Sequence, residues 1–172
     1  MNYKMSKKPD IIIVDQNLSF REGLKTILSI KQIGTVIGEV TNEKGFINLL
    51  SCLNPDLVLI DIDMQNLNAM EVIRKASKMI PGLKFIAFTM FREENYLAKM
   101  IEPGINGFIL KLSGLNELAE AIQCILKGNY YISFELGGKM NTYLNRKKTN
   151  KAIASYGFHP NKLNYNYKSA YV

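Results

Sequence analysis

The 172-residue sequence predicts an α/β fold in which helices cover both faces of a five-stranded parallel sheet. Four short runs of Val, Ile, Leu, Phe and Ala show no polar alternation, which is typical of strands buried on both faces. Between these runs, apolar residues recur at helical spacing, so strands and helices alternate along the chain. Such an alternation produces a parallel sheet through right-handed crossover connections.

The amino-terminal half contains three of the predicted strands. A strand at 10–15 leads to a helix at 18–31, and a strand at 35–40 leads to a helix that ends near residue 53. Thr41 or Asn42 can cap the second of these helices, because both side chains accept hydrogen bonds from a first helical turn. Asn54-Pro55 ends that helix, and the third strand follows at 56–61.

The carboxyl-terminal half repeats the same alternation. Helices are predicted at 69–79, 93–101 and 115–126, and strands at 84–89 and 107–111. Pro81-Gly82 and Gly128 end the first and last of these helices, since glycine readily adopts the conformation that follows a helix. Residues 134–144 could form one more short helix.

Three segments follow from this pattern: a lead at 1–9, a domain at 10–133, and a linker with a tail rich in Lys, Asn and Tyr at 134–172. Residues 1–138 contain 15 basic and 15 acidic side chains, so the net charge of +7 belongs to residues 139–172 of the tail. The tail has too few aliphatic residues for a second core and is expected to be irregular. Neither a membrane span nor a signal peptide is recognisable, which predicts a cytoplasmic protein.

One chemically distinctive residue follows or ends each of four apolar runs. These residues are Asp15, Asp61, Thr89 and Lys111. In open α/β sheets, ligands bind beyond the carboxyl ends of the strands. We therefore expect two carboxylates, a hydroxyl and an ammonium group to meet there, a set that can hold a divalent cation and a phosphoryl group.

Five segments, in order, resemble the receiver domain of response regulators. They are Ile13-Val14-Asp15, Phe20-Arg21-Glu22-Gly23-Leu24, residues 55–64, Thr89-Met90 and residues 107–111. The second segment is most similar to the NarL/FixJ (LuxR-type) branch. The resemblance covers 10–133 and implies a flavodoxin-like (CheY-like) fold.

The resemblance also implies a function. Asp61 would accept a phosphoryl group from a sensor histidine kinase or a phosphotransfer protein. The domain would act in signalling and not as an enzyme. Asp15, Asp61 and the backbone carbonyl of Asp63 would hold Mg²⁺, while Thr89 and Lys111 would contact the phosphoryl group. Phe108 matches an aromatic switch residue of the family, although core packing explains this residue equally well. The output would be a changed protein-binding face. A second copy of the chain is one candidate partner, which would give a homodimer.

The sequence departs from the family at the metal site, where Gln16 replaces a second acid. Glutamine offers a neutral carbonyl oxygen in place of a carboxylate, so Gln16 would be a weak ligand or act through water. We expect weakened Mg²⁺ binding, offset by the side chain of Asp63. The alternative is a pseudo-receiver, an interaction module with an impaired metal site.

A second departure lies after Ser133, where no helix-turn-helix pattern is recognisable. A truncated LuxR-type transcriptional regulator is therefore another alternative, with nucleic acid contacted only through the basic tail. A small-molecule enzyme is disfavoured, because the chain contains no glycine-rich phosphate-binding loop.

Overall fold

The computed structural model describes residues 7–90, 104–112, 116–133 and 136. Within these ranges the chain forms six strands and four helices. The strands are β1 (Asp10–Val14), β2 (Thr35–Val40), β3 (Leu57–Asp61), β4 (Lys84–Thr89), β5 (Gly107–Leu110) and β6 (Tyr131–Ile132). The helices are α1 (Leu18–Ile30), α2 (Glu43–Leu50), α3 (Ala69–Met79) and, at the carboxyl-terminal end, α4 (Asn116–Leu126).

All strands are parallel, in the order β2-β1-β3-β4-β5-β6. This order confirms the predicted flavodoxin-like class. The chain moves from β1 to β2 on one side of the sheet and then returns to β3 on the other. The carboxyl ends of β1 and β3 therefore border the topological switch point, where folds of this type bind ligands.

The predicted number of strands was wrong, because a sixth strand pairs with β5. Tyr131 is opposite Gly107 and Ile132 is opposite Phe108. Two residues are too few to show a strand periodicity, so only tertiary pairing reveals this element. Ser133 extends the contact: its backbone N–H donates to Phe108 O at 2.8 Å, and its hydroxyl accepts from Leu110 N–H at 3.1 Å.

Two further predicted features lie mainly outside the described residues. They are the helix at 93–101 and the basic tail with the short helix at 134–144, of which only Leu136 is described. Leu136 is buried in the core. Among the described residues, none of the helices is long and apolar enough to cross a membrane.

The core consists of two layers, because successive strand residues point to opposite faces of the sheet. One layer joins β-strand residues such as Ile12, Val58 and Phe108 to α2 and α3, through Phe46, Leu50, Val72, Ile73 and Ala76. The other joins Ile11, Leu59 and Phe88 to α1 and α4, through Leu24, Leu28, Leu118, Ala121, Ile122 and Ile125. Helices therefore cover both faces, as predicted.

Asparagine side chains cap the amino-terminal ends of three helices. Asn17 accepts from Phe20 N–H at 3.1 Å, Asn42 from Gly45 N–H at 2.8 Å, and Asn68 from Glu71 N–H at 3.3 Å. Of the two candidate caps for α2, Asn42 takes the role. Such a cap typically contributes about 1 kcal/mol, and Asn17 also sets where α1 begins relative to β1.

Candidate functional site

The predicted site residues meet at the carboxyl edge of the sheet. The Nζ atom of Lys111 lies 2.8 Å from Asp15 Oδ2 and 2.6 Å from Asp61 Oδ2. Both carboxylates are buried, with 1% and 7% of the residue exposed. The two acids are 46 positions apart in the chain, but β1 and β3 are neighbours in the sheet and bring them together.

Asp61 ends β3, and each of its carboxylate oxygens has a defined donor. Its Oδ1 accepts from Asp63 N–H at 2.9 Å, and its Oδ2 accepts from Lys111. The following residue, Ile62, donates its backbone N–H to Phe88 O at 3.1 Å, which keeps the exit of β3 against β4. The carboxylate is thereby fixed at the mouth of the switch point.

Asp15 follows β1 and is held through its backbone as well as its side chain. Its N–H donates to Val40 O at 3.1 Å, and its Oδ1 accepts from Asn17 N–H at 2.6 Å. Its carbonyl oxygen accepts from Arg21 Nη1 at 2.7 Å. With Lys111 on Oδ2, donors surround this residue and leave it little freedom.

Lys111 is the cation between the two acids. Burial lowers the pKa of a lysine, but the hydrogen bonds from Lys111 to Asp15 and Asp61 outweigh burial, and the pKa is raised above its usual 10.5. The ammonium group also lies 4.7 Å from the centre of the Phe20 ring, and that ring meets Phe88 edge to face at 5.1 Å. Lys111 is therefore charged and confined on several sides.

Thr89, which is fully buried, contacts Asp63 rather than Asp61. Its Oγ1 lies 3.0 Å from both carboxylate oxygens of Asp63, and Met90 N–H donates to the same carboxylate. Burial raises the pKa of Asp63, although the hydrogen bonds from Met90 and Thr89 act in the opposite direction. The side chain of Asp63 is thus directed at β4.

Two predicted site residues, Gln16 and Phe108, have other surroundings. Gln16 is exposed, and its Nε2 is 3.4 Å from Gln65 O. Phe108 is 3% exposed and packs in the core layer that contains α2 and α3. In the part of the chain that the structure describes, no three His, Cys, Asp or Glu side chains are grouped closely enough to hold a metal ion.

Phe20 and Arg21 are site neighbours that sequence reasoning did not assign to the site. Both lie in the first turn of α1, immediately after the exit of β1. Their position in the sequence could have indicated this, because both residues follow closely after Asp15 at the end of a predicted strand. In the sequence both residues are part of the family-like segment Phe20-Arg21-Glu22-Gly23-Leu24.

A comparison with family models decides the identity of this arrangement. The model described as the response regulator receiver domain matches residues 11–123. The chain belongs to this family. Its receiver domain therefore includes all four of the strand-end residues described above.

The relatives of this receiver domain are NarL/LuxR-type regulators. The transcriptional regulatory protein DegU of Brevibacillus brevis is 29% identical over 133 residues, which cover 77% of this chain and 56% of DegU. The chain thus spans little more than half the length of that relative. A solved LuxR-family response regulator from Aurantimonas sp. superposes with a TM-score of 0.74 at 23% identity, over 80% of this chain and 98% of the other.

A third comparison concerns a receiver domain solved alone. The isolated domain of RcsB from Salmonella enterica serovar Typhimurium, solved with the phosphomimetic BeF₃⁻, superposes with a TM-score of 0.72 at 21% identity. The match covers 78% of this chain and 99% of that domain. At this identity the likeness concerns the fold alone.

The donor set of the receiver site fits a magnesium ion. Mg²⁺ prefers oxygen ligands and usually keeps several waters, so one or two protein carboxylates suffice. Asp15 and Asp61 already converge on one cationic group, the ammonium of Lys111. Two acids that share a cation in this way can also share a metal ion.

Proposed function

We propose that this receiver domain accepts a phosphoryl group on Asp61 within a two-component signalling system. The observation that carries the proposal is the ammonium group of Lys111, which bridges Asp15 and Asp61 at 2.8 and 2.6 Å. One of the two buried carboxylates can act as the nucleophile. The cation fixed beside it offsets part of the negative charge that an incoming phosphoryl group meets. The donor would be a sensor histidine kinase or a phosphotransfer protein, and transfer would occur in the cytoplasm.

The reaction moves one phosphoryl group between two side chains. A carboxylate oxygen of Asp61 attacks phosphorus, the phosphorus–nitrogen bond of a phosphohistidine breaks, and the imidazole leaves with the electron pair and takes up a proton. The product is an acyl phosphate on Asp61. The domain acts as an acceptor of this group and not as an enzyme that releases a chemical product.

The residues around Asp61 have separate tasks. The ammonium of Lys111 would neutralise negative charge on one phosphoryl oxygen, and the hydroxyl of Thr89 would donate a hydrogen bond to another. Asp15, Asp61 and the backbone carbonyl of Asp63 would hold Mg²⁺, with Gln16 at most a weak ligand. When bound, the metal would neutralise the charge between carboxylate and phosphate.

Phosphorylation would change a protein-binding face of the domain. Thr89, the last residue of β4, would have to exchange Asp63 for the phosphoryl group. A local change of this kind can bias a surface between two states. Phe108, buried one strand away, would repack if it takes the switch role that the family resemblance implies.

A phosphate-affinity gel tests the proposal. The full chain is incubated with acetyl phosphate and Mg²⁺ and compared with Asp61→Asn, which keeps the shape of the side chain but removes the nucleophile. Asp10→Asn is the matched control, because Asp10 lies at the opposite end of β1. We expect retarded bands for wild type and Asp10→Asn alone. An unshifted wild type would instead support the pseudo-receiver alternative.

A further inference from the structure

Arg21 joins two elements of the fold at the back of Asp15. Its Nη1 donates to the backbone carbonyl of Asp15 at 2.7 Å, and its Nε donates to Glu39 Oε2 at 3.0 Å. Only 11% of the Arg21 side chain is exposed. The planar guanidinium holds Nε and Nη1 in a fixed fork, so Arg21 reaches its two acceptors from separate nitrogens, a geometry that the compact ammonium of a lysine does not reproduce.

The carbonyl contact matters because Asp15 lies just beyond the last residue of β1. Its N–H is paired with Val40, so one side of the residue is fixed by the sheet. Arg21 supplies the donor on the other side. The peptide plane that carries the Asp15 carbonyl then cannot tilt without breaking a charge-assisted bond. With the backbone held on both sides of Cα, fewer directions remain open to the Asp15 carboxylate.

Glu39 on β2 anchors the guanidinium in turn. Glu39 accepts from Lys25 at 2.9 Å as well as from Arg21, and these two bonds lower the pKa of its carboxyl, that from Lys25 foremost. Lys25 and Arg21 are four positions apart on α1 and reach the same carboxylate. Glu39 therefore binds Arg21, which also donates to Asp15, and Lys25, which provides a comparison without that second contact.

We propose that Arg21 is a positioning residue that orients Asp15 for binding a divalent cation; this inference rests on the proposed function. Groups that hold a metal ligand in place typically change metal affinity about 10–100-fold when they are removed. If Arg21 only held α1 against β2, its replacement would instead lower the stability of the domain in the same way as replacement of Lys25.

Titration of Mg²⁺ into the isotope-labelled full chain tests the inference, with the amide shifts of Asp15 and Asp61 as the readout. Arg21→Lys keeps the positive charge but loses the planar fork that reaches Asp15 and Glu39 from separate nitrogens, and we expect binding about tenfold weaker than wild type. Lys25→Met is the matched control, because it removes the other cation on Glu39. It should bind Mg²⁺ with the affinity of wild type, because Lys25 is paired with Glu22 and Glu39 rather than with Asp15.

The outcomes separate this inference from the proposed function. If wild type responds to Mg²⁺ and Arg21→Lys responds equally, the positioning role is overturned while the proposed function stands. If wild type does not respond, both fall. Should Arg21→Lys not fold, Glu39→Gln tests the same guanidinium from its anchor, and we then expect weakened binding. Unchanged affinity in that variant would overturn the inference.

Discussion

The hydroxyl of Thr89 is hydrogen-bonded to the carboxylate of Asp63, with Oγ1 3.0 Å from both carboxylate oxygens. Thr89 thus contacts Asp63, whereas Asp61 is the residue proposed to receive the phosphoryl group. Asp63 therefore competes with an incoming phosphate for the same donor. It also adds negative charge close to a site that must admit an anion.

Replacing Asp63 with Ala should accelerate phosphorylation of Asp61. The substitution removes both a competing acceptor and a like charge, and a hydrogen bond worth about 1 kcal/mol corresponds to about a fivefold rate increase. The initial rate with acetyl phosphate and Mg²⁺ measures the effect. Asp63→Asn, which keeps an acceptor oxygen, should give a smaller increase. A slower Asp63→Ala variant would show that this side chain assists cation binding.

Replacing Lys111 with Met should destabilise the domain by about 3 kcal/mol, since two buried carboxylates would then face each other without a cation. Urea unfolding measures the loss. We expect Mg²⁺ to stabilise this variant more than wild type, because a divalent ion can take over the neutralisation. Lys25→Met, which removes a partly exposed ion pair with Glu39, should cost less than about 1 kcal/mol. Equal losses in the two variants would contradict the importance of the bridge.

Replacing Phe108 with Ala should cost about 3–5 kcal/mol, because the residue is buried in the core. Phe108→Leu, which retains most of the volume, should cost far less. Neither change touches a group that reacts, so the folded fraction should still be phosphorylated. Comparing unfolding midpoints with phosphate-affinity gels separates packing from chemistry. Loss of phosphorylation in a stable Phe108→Leu variant would argue for a direct role at the site.

Tyr131 provides a pH-dependent test of the unforeseen sixth strand. Its hydroxyl donates to Glu117 Oε1 at 3.1 Å, and burial, followed by Glu117, raises its pKa far above 10.0. A group whose pKa is raised by folding contributes stability that is complete below its unfolded pKa and is lost as the pH rises further. Tyr131→Phe should thus cost about 1 kcal/mol near pH 8, from the lost hydrogen bond.

The same difference should shrink above about pH 10, because only wild type is destabilised by ionisation of this phenol. Urea unfolding of both proteins across this range measures it. A difference between wild type and Tyr131→Phe that stays constant or grows with pH would contradict the coupling of β6 to α4.

The amino-acid sequence by itself determined the five longer strands and the order of elements around them. Continuous apolar runs indicate burial on both faces, and polar residues at their ends mark the edge of a sheet. The sequence alone therefore predicts that Asp15, Asp61 and Lys111 lie together. These are properties of short stretches of chain. They follow from local periodicity and from the handedness of crossover connections.

The tertiary structure decided which atoms meet. A two-residue strand at Tyr131–Ile132 has no periodicity of its own and exists because β5 offers unpaired backbone groups. The direction of Asp63 toward Thr89, and of Arg21 toward the carbonyl of Asp15, depends on rotamers that neighbouring elements select. Sequence spacing encodes which edge a residue occupies, whereas packing alone encodes which partner its side chain reaches.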